Sequence, residues 1–395
     1  MRSGRAGGRH ACQNGTVSDL EPYLETFDGD PGYLDWAAFG PLSPAVRAEL
    51  LADVELLSAG RRSGIDLVGA RVREARTLLA EMLGAADDEV TLQPSTAQGL
   101  AHALYGLDGE VLISPAEFPA LTVAARRAQD LRGRLRVRDL DTPDGFVTPD
   151  AVAAGLTDDV TAVAVSLVDY RTGFLADLTA LREVVGDRLL IVDAVQGFGV
   201  VDADYAAADV VCGNGYKWLR AGRSTGFARF SARARARIEP VLSGYAGMDG
   251  ALGAAEVFPP RPDAAAFAIS GADTIAAARL ATALREVRDA GIGAIAREVA
   301  ERAQHVMALA DRYGVPVLTP RDRHAGIVAL APAAPDTGAL AAALANHGVA
   351  VTARHGLIRV AVHAGTGADS LRLLGDALAE AAANRAATAA VVPES

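Results

Sequence analysis

Short apolar runs alternate with helical stretches from about residue 45 to 230, and this alternation narrows the possible folds more than any other feature. The runs are EVLIS (110–114), RLRVRDL (134–140), VTAVAVSLV (160–168), RLLIVD (188–193), ADVVCG (208–213) and GFARF (226–230). They are short, rich in β-branched residues and not strictly alternating, which is the pattern of strands covered on both faces. Between several of them lie stretches with helical apolar spacing, such as ALTVAARRAQDL (120–131) and DLTALREVVG (177–186). Ser43 and Pro44 open a helix before them, and STAQGLAHALYGL (95–107) reads as another. Alternating β and α elements predict a mostly parallel, doubly wound sheet, an α/β fold.

A Gly/Pro-rich connection follows at 240–265. Beyond it come two long helical runs (271–288 and 290–313), strand-like GIVALAP, VAVTAR and LIRVAVH, and a last helix from about 367. With 395 residues the chain is too long for one compact core. The expected organisation is a flexible tail at 1–20, a large α/β domain at 21–260 whose N-terminal segment packs on the small domain, a small α+β domain at 261–385, and a frayed end at 386–395. His10 and Cys12 fall in the first tail.

The net charge of −11 and the lack of a long basic run argue against nucleic acid and anionic membrane as partners. No stretch reaches the length of an apolar membrane span, and the positively charged start lacks the apolar segment of a signal peptide. A cytoplasmic protein is expected. Two cysteines, Cys12 and Cys212, are too few for a disulfide framework, and no Cys/His cluster has zinc spacing, so no metal is expected.

Of 38 basic Lys and Arg side chains, 37 are arginine; the one lysine is Lys217, in GNGYKWLRAG (213–222). Arginine serves surface charge and bidentate anion binding as well or better. What it cannot do near neutral pH is act as an amine nucleophile or form a Schiff base with a carbonyl. Asp193 ends an apolar strand, and Gln196 follows three residues later. Ligands of open α/β sheets sit beyond the carboxyl ends of strands. A carboxylate and a unique amine at one rim suit pyridoxal 5'-phosphate: the lysine forms the imine and the carboxylate keeps the pyridine nitrogen protonated. Ser95, Thr96 and Ala97, opening a helix directly after a strand, offer backbone N–H groups for its phosphate.

The segments YLDWAAFGPLSPAV (33–46), LQPSTAQGL, SPAEFPALT, VDAVQGFG, GNGYKWLRAGRSTGF and RHGLIRVAVH resemble, in order, those of class V aminotransferase-fold enzymes. That group includes cysteine desulfurases, kynureninase and isopenicillin-epimerase-like proteins. The resemblance covers about 30 to 370. It implies a fold-type I pyridoxal-phosphate enzyme, a homodimer with active sites at the subunit interface, and an amino-acid substrate. Lys217 resembles the Schiff-base lysine, Asp193 the pyridinium partner, and Gln196 the residue bonding the cofactor's phenolic oxygen. Phe118 falls where the family stacks a ring on the cofactor, and Phe118-Pro119 resembles the kynureninase-like pattern, as does Tyr170. Ser95 and Thr96 match the phosphate loop, and Arg359 matches the arginine that takes a substrate α-carboxylate.

Several positions depart from the family. Asn214 stands where many members have Ser, and Tyr216 stands where they have the histidine before the lysine; both can still donate to phosphate. Gly271-Ala272 replaces a Gly-Thr that reaches the partner's phosphate. Desulfurases carry a reactive thiolate in a loop before the C-terminal arginine strand. This chain has neither loop nor cysteine there, and Cys212 reads as inert core, so desulfurase activity is not expected. An aminotransferase or Cβ–S or C–C lyase of secondary metabolism is expected. An epimerase or a decarboxylative deaminase of a cysteine thioether is the alternative, and a non-catalytic binding protein of the same fold is the rival of another class. Tyr170, Arg171, Tyr245, Arg354 and His355 are candidates for the contacts that decide among reactions. No G-x-G-x-x-G follows the first strand, so a dinucleotide oxidoreductase is disfavoured.

Overall fold

Neighbouring residues of the central strands belong to different cores, and this divides the molecule into layers. The structure is a computed structural model that describes residues 20–250 and 257–391. The expectations for His10 and Cys12, most of the first tail and residues 392–395 therefore lie outside the described residues. The large sheet contains β1 (Val90–Gln93), β2 (Gly109–Ile113), β3 (Leu135–Asp139), β4 (Val160–Ser166), β5 (Leu189–Asp193), β6 (Val210–Asn214) and β7 (Gly226–Phe230), in the order β1-β7-β6-β5-β4-β2-β3. Strands β2 to β6 pair in parallel, and β7 runs antiparallel to both β6 and β1.

Val163, Val165, Leu190, Val192 and Phe227 point into one apolar cluster, and Ala162, Ala164, Leu189, Ile191 and Phe230 into the other. The two-residue period of a strand forces this division. The first cluster is covered by α3 (Arg62–Leu83), α7 (Leu178–Val185) and α9 (Thr274–Ala290), the second by α4 (Thr96–Gly106) and α5 (Pro119–Arg132). The mixed α/β, mostly parallel sheet is thus as expected from the alternating pattern. α3 was not among the expected elements, although its buried positions Val68, Ala75, Leu78, Leu79 and Leu83 follow helical spacing.

The second sheet is small and antiparallel, with β10 (Leu357–Ala361) between β8 (Ile327–Leu330) and β9 (Thr352–Arg354). It packs on α10 (Ile292–Arg312), α11 (Thr337–Asn346) and α12 (Ala368–Val391). The N-terminal segment joins it: Leu34 is fully buried in this core, donates from its N–H to Ala350 O at 3.0 Å, and accepts from Ala361 N at 2.7 Å.

Two boundaries differ from the sequence expectation. Residues just beyond 260 pack on the large unit, since Phe267 stacks on Phe230 with centroids 3.8 Å apart and α9 lies in the same core as α3. α10 crosses between units, with Ile295 and Val299 in the large core and Val306 and Met307 in the small one. At the other end α12 spans Ala368–Val391, beyond the residue 385 expected to close the small domain.

Candidate active site

The parallel strands end on one rim, which carries Asp193, Asn214 and the loop with Lys217. Asp193 is the last residue of β5, and Lys217 follows the end of β6 by three residues. β1 is antiparallel to β7 and so parallel to β6. Its exit, with the start of α4, therefore reaches the same rim. The N-terminal segment closes over the lysine loop: Gly40 N donates to Tyr216 O at 2.9 Å, and a Cβ at Gly40 would run into the Lys217 carbonyl.

Asp193 is 1 % exposed and Lys217 7 %. Asp193 Oδ1 accepts from Val195 N at 2.9 Å, while Oδ2 is buried with no hydrogen-bond partner. Loss of hydration raises the Asp193 pKa, against the opposing effects of the Val195 N–H and the Lys217 charge. Burial lowers the pKa of Lys217; Asp193 opposes this, and the Arg359 charge adds to it. The Lys217 Nζ lies 5.5 Å from the Tyr216 ring centroid, and the Arg223 guanidinium is 4.8 Å from that ring. An unpartnered buried carboxylate oxygen is costly. Beside an amine biased toward its neutral form, it marks a place where a ligand with a cationic N–H would be held.

The start of α4 forms a cup. Ser95 caps the helix by accepting from Gln98 N at 3.2 Å, so the N–H groups of Thr96 and Ala97 precede the helix's own bonding and face outward from its first turn. Asn214 Nδ2 donates to Thr96 Oγ1 at 2.8 Å, and Asn214 Oδ1 accepts from Tyr216 N at 3.3 Å. Asn214 thus ties β6 to the helix start and leaves the Thr96 hydroxyl proton to be given elsewhere. Gly271 and Ala272 line a cleft with Pro94, Ser224 and Gly226 of the same chain.

Other expected residues already have partners or a defined environment in the structure. The Gln196 amide is already engaged: Nε2 donates to Ala37 O and Oε1 accepts from Trp218 Nε1, each at 3.0 Å, leaving one N–H free. Phe118 is 41 % exposed at the start of α5 and meets Tyr170 edge-on with centroids 5.1 Å apart. Arg171 is tied to Asp169 by an ion pair of 2.6 Å. Tyr245 is exposed, and its hydroxyl accepts from Gly271 N at 3.2 Å. Arg354 and His355 lie exposed at the tight turn between β9 and β10, where His355 has φ 52°. Cys212, the one cysteine among the described residues, is fully buried, and burial holds its thiol pKa well above the ordinary value.

Two charged residues of the site escaped the sequence reading. Glu117 reaches the end of β4, where its carboxylate accepts from Ser166 N at 3.0 Å and from Ser166 Oγ; loss of hydration raises its pKa to about 7. Asp35 pairs with Arg359 at 3.3 Å across 324 positions of sequence. No local pattern announces such a contact, although Asp35 lies within the YLDWAAFG stretch.

The sheet order, the lysine–carboxylate rim and the open N–H groups at the start of α4 fit a pyridoxal-phosphate enzyme of fold type I. A sequence profile for the aminotransferase class-V family matches residues 33–368, and the chain belongs to that family. It is 29 % identical over 319 residues to a kynureninase of Deinococcus radiodurans, covering 74 % of this chain and 75 % of that enzyme. It is 30 % identical over 190 residues to the cysteine desulfurase IscS of Ectopseudomonas mendocina, covering 44 % and 46 %. Among solved structures, an apo cysteine desulfurase from Thermococcus onnurineus NA1 superimposes with a TM-score of 0.82 at 18 % identity, over 93 % of this chain and 98 % of that one. The cystine C-S lyase C-DES, in complex with its product cysteine persulfide, gives 0.81 at 18 %, over 90 % and 98 %. These likenesses agree with the α/β fold, and the family agrees with pyridoxal 5'-phosphate as the cofactor.

Proposed function

We propose that this enzyme acts at Cα of an amino acid or amino-acid conjugate, as an aminotransferase or as a Cβ–S or C–C lyase, with Lys217 as both cofactor anchor and proton base. The observation that supports this most is the buried, unpartnered Asp193 Oδ2 at the strand end beside the chain's one lysine. When bound, pyridoxal phosphate supplies an electron sink for the charge that develops at Cα.

The chain's own residues would then divide the work. Asp193 Oδ2 would accept from the cofactor's ring N–H, and the N–H groups of Thr96 and Ala97 with the Thr96 hydroxyl would hold its phosphate. Ser95 shapes that cup, and Asn214 and Tyr216 support it. Phe118 would cover one ring face, and the remaining Gln196 N–H would reach the phenolic oxygen. Arg359 would take the substrate carboxylate next to Tyr170. The Lys217 amine, kept toward its neutral form by burial and by the Arg359 charge, would remove the Cα proton.

Persulfide chemistry at Cys212 is disfavoured, because the thiol is buried and its pKa is raised. The β9–β10 turn also holds only His355 and Gly356 between paired residues, which leaves no room for a nucleophile-bearing loop. The edge-on pair of exposed Phe118 with half-buried Tyr170 favours a second reading within the lyase class, cleavage next to a flat aromatic side chain, in line with the kynureninase relative. A homodimer and a role in secondary metabolism belong to the same proposal, from family likeness.

The test is a screen of the loaded enzyme against amino acids, cysteine thioethers and aryl-ketone amino acids, following pyruvate, sulfide, keto acid and aromatic amine. Release of one product above a Lys217→Ala control is expected. No release from any of them would favour a non-catalytic binding protein.

A further inference from the structure

Arg359 is already bound to a carboxylate. Its Nη2 donates to Asp35 Oδ1 and to Thr352 Oγ1, each at 3.3 Å, and Nη1 donates to Tyr170 O at 3.1 Å. The Thr352 hydroxyl lies 2.9 Å from both Asp35 oxygens, closing a ring of aspartate, threonine and arginine. Arg359 Nε is buried with no acceptor. The side chains of the pair are 14 % and 19 % exposed, so the ring is largely shielded from solvent. The charges of Asp35 and Arg359 both act on the Lys217 amine.

A guanidinium grips a carboxylate with two parallel N–H bonds, through its Nε/Nη2 edge or its Nη1/Nη2 edge. Both edges use Nη2, which Asp35 and Thr352 occupy. An incoming α-carboxylate on either edge therefore competes for Nη2 with Asp35 and with the Thr352 hydroxyl that Asp35 holds. The orphaned Nε makes that exchange favourable, because a carboxylate on the Nε/Nη2 edge would satisfy a buried donor that now has none. The contacts to be given up are long, at 3.3 Å.

We infer that Asp35 is an internal stand-in for the substrate carboxylate: it holds Arg359 in place and charge-compensated, and it yields Nη2 when a carboxylated substrate enters. This rests on the proposed role of Arg359. Asp35 is then a specificity-determining residue, since every ligand must outcompete a carboxylate that is already tethered. A ligand lacking a carboxylate gains nothing from the exchange.

Two small probes separate these effects on the loaded enzyme. Aminooxyacetate and methoxyamine both react at the cofactor's carbonyl carbon, and only the first carries a carboxylate. The ratio of their second-order rate constants, read from the cofactor's absorbance, reports the contribution of Arg359. The ratio should be higher in the wild type than in Arg359→Ala. Asp35→Asn should raise it further, by about two- to fivefold, the range in which partly exposed ion pairs act. Thr352→Val, which frees Asp35 and Arg359 from their shared hydroxyl, should change it in the same direction by less. If the wild type and Arg359→Ala give equal ratios, the carboxylate role of Arg359 fails and this inference with it. If Arg359 matters but Asp35→Asn leaves the ratio unchanged or drops it to the Arg359→Ala value, Asp35 is a fixed support and the stand-in role is overturned. Should Asp35→Asn not take up cofactor, Thr352→Val decides alone: a rise supports the inference, and no change or a fall overturns it.

Discussion

Asn214 donates to the Thr96 hydroxyl at 2.8 Å, joining the end of β6 to the first turn of α4. The bond is buried and takes the hydroxyl oxygen as acceptor, which leaves the Thr96 proton free for an anion at the helix start. Asn214→Ala removes the donor and leaves a buried hydroxyl half-satisfied. A loss of about 1–1.5 kcal/mol is expected for such a bond, about tenfold weaker cofactor binding. Equilibrium titration of the apo protein with pyridoxal phosphate measures it. Unchanged affinity would mean that Thr96 does not face the phosphate.

Lys217, as the chain's one lysine, can be titrated without ambiguity. Its pKa is lowered from the ordinary 10.5, chiefly by burial, while the Asp193 charge raises it. After reductive methylation of the apo protein with a carbon-13 label, the Lys217 signal should titrate below 10.5. Asp193→Asn removes the opposing carboxylate and should lower that midpoint further. A midpoint at or above the ordinary value would contradict the burial of the amine.

Glu117 gives a pH dependence of opposite sense. Its pKa is raised from 4.5 to about 7, chiefly by lost hydration, so between these values the native state binds a proton that the unfolded chain does not. The Glu117 contribution is therefore most favourable below about 4.5 and is lost as pH rises toward about 7. Glu117→Gln should gain stability relative to wild type across that interval, on the order of 1–3 kcal/mol. Denaturant midpoints of the two apo proteins at the ends of the interval check it, and parallel midpoints would contradict it.

Leu34 staples the N-terminal segment into the small unit, fully buried beside β8 and β10. Leu34→Ala should cost about 2–5 kcal/mol, as for other buried leucines. Because the same segment carries Asp35 and reaches the lysine loop at Gly40, cofactor affinity should fall as well. Chemical denaturation and cofactor titration of the same variant test both. Loss of neither would mean that the segment is not anchored there.

Much of this was legible in the sequence because it depends on local pattern. Strands β2 and β4 to β7 follow from apolar runs whose neighbouring residues are covered on both faces, whereas β3 is an edge strand buried only at Leu135; the rim position of Asp193 follows from where such a run ends. Lys217 was exposed by its rarity. Other features depend on which distant segments meet. The Asp35–Arg359 pair, the engagement of Gln196 by Ala37 and Trp218, and the enclosure of Glu117 at Ser166 join residues far apart in the chain. The divide between units was misplaced because Gly/Pro richness at 240–265 marks a break in regular structure. Which core the next helix enters is set by the apolar face of α9 meeting α3. The buried positions of α3 follow helical spacing, a local signal of the same kind as that of the expected helices.

The most direct test of the central claim is borohydride reduction of the cofactor-loaded protein followed by peptide mass analysis. A reduced cofactor should be found on the peptide containing Lys217, with loss of the visible absorbance. Lys217→Ala should show no such modification, and Asp193→Ala should load cofactor more weakly. An unmodified Lys217 peptide after incubation with excess pyridoxal phosphate would contradict the account.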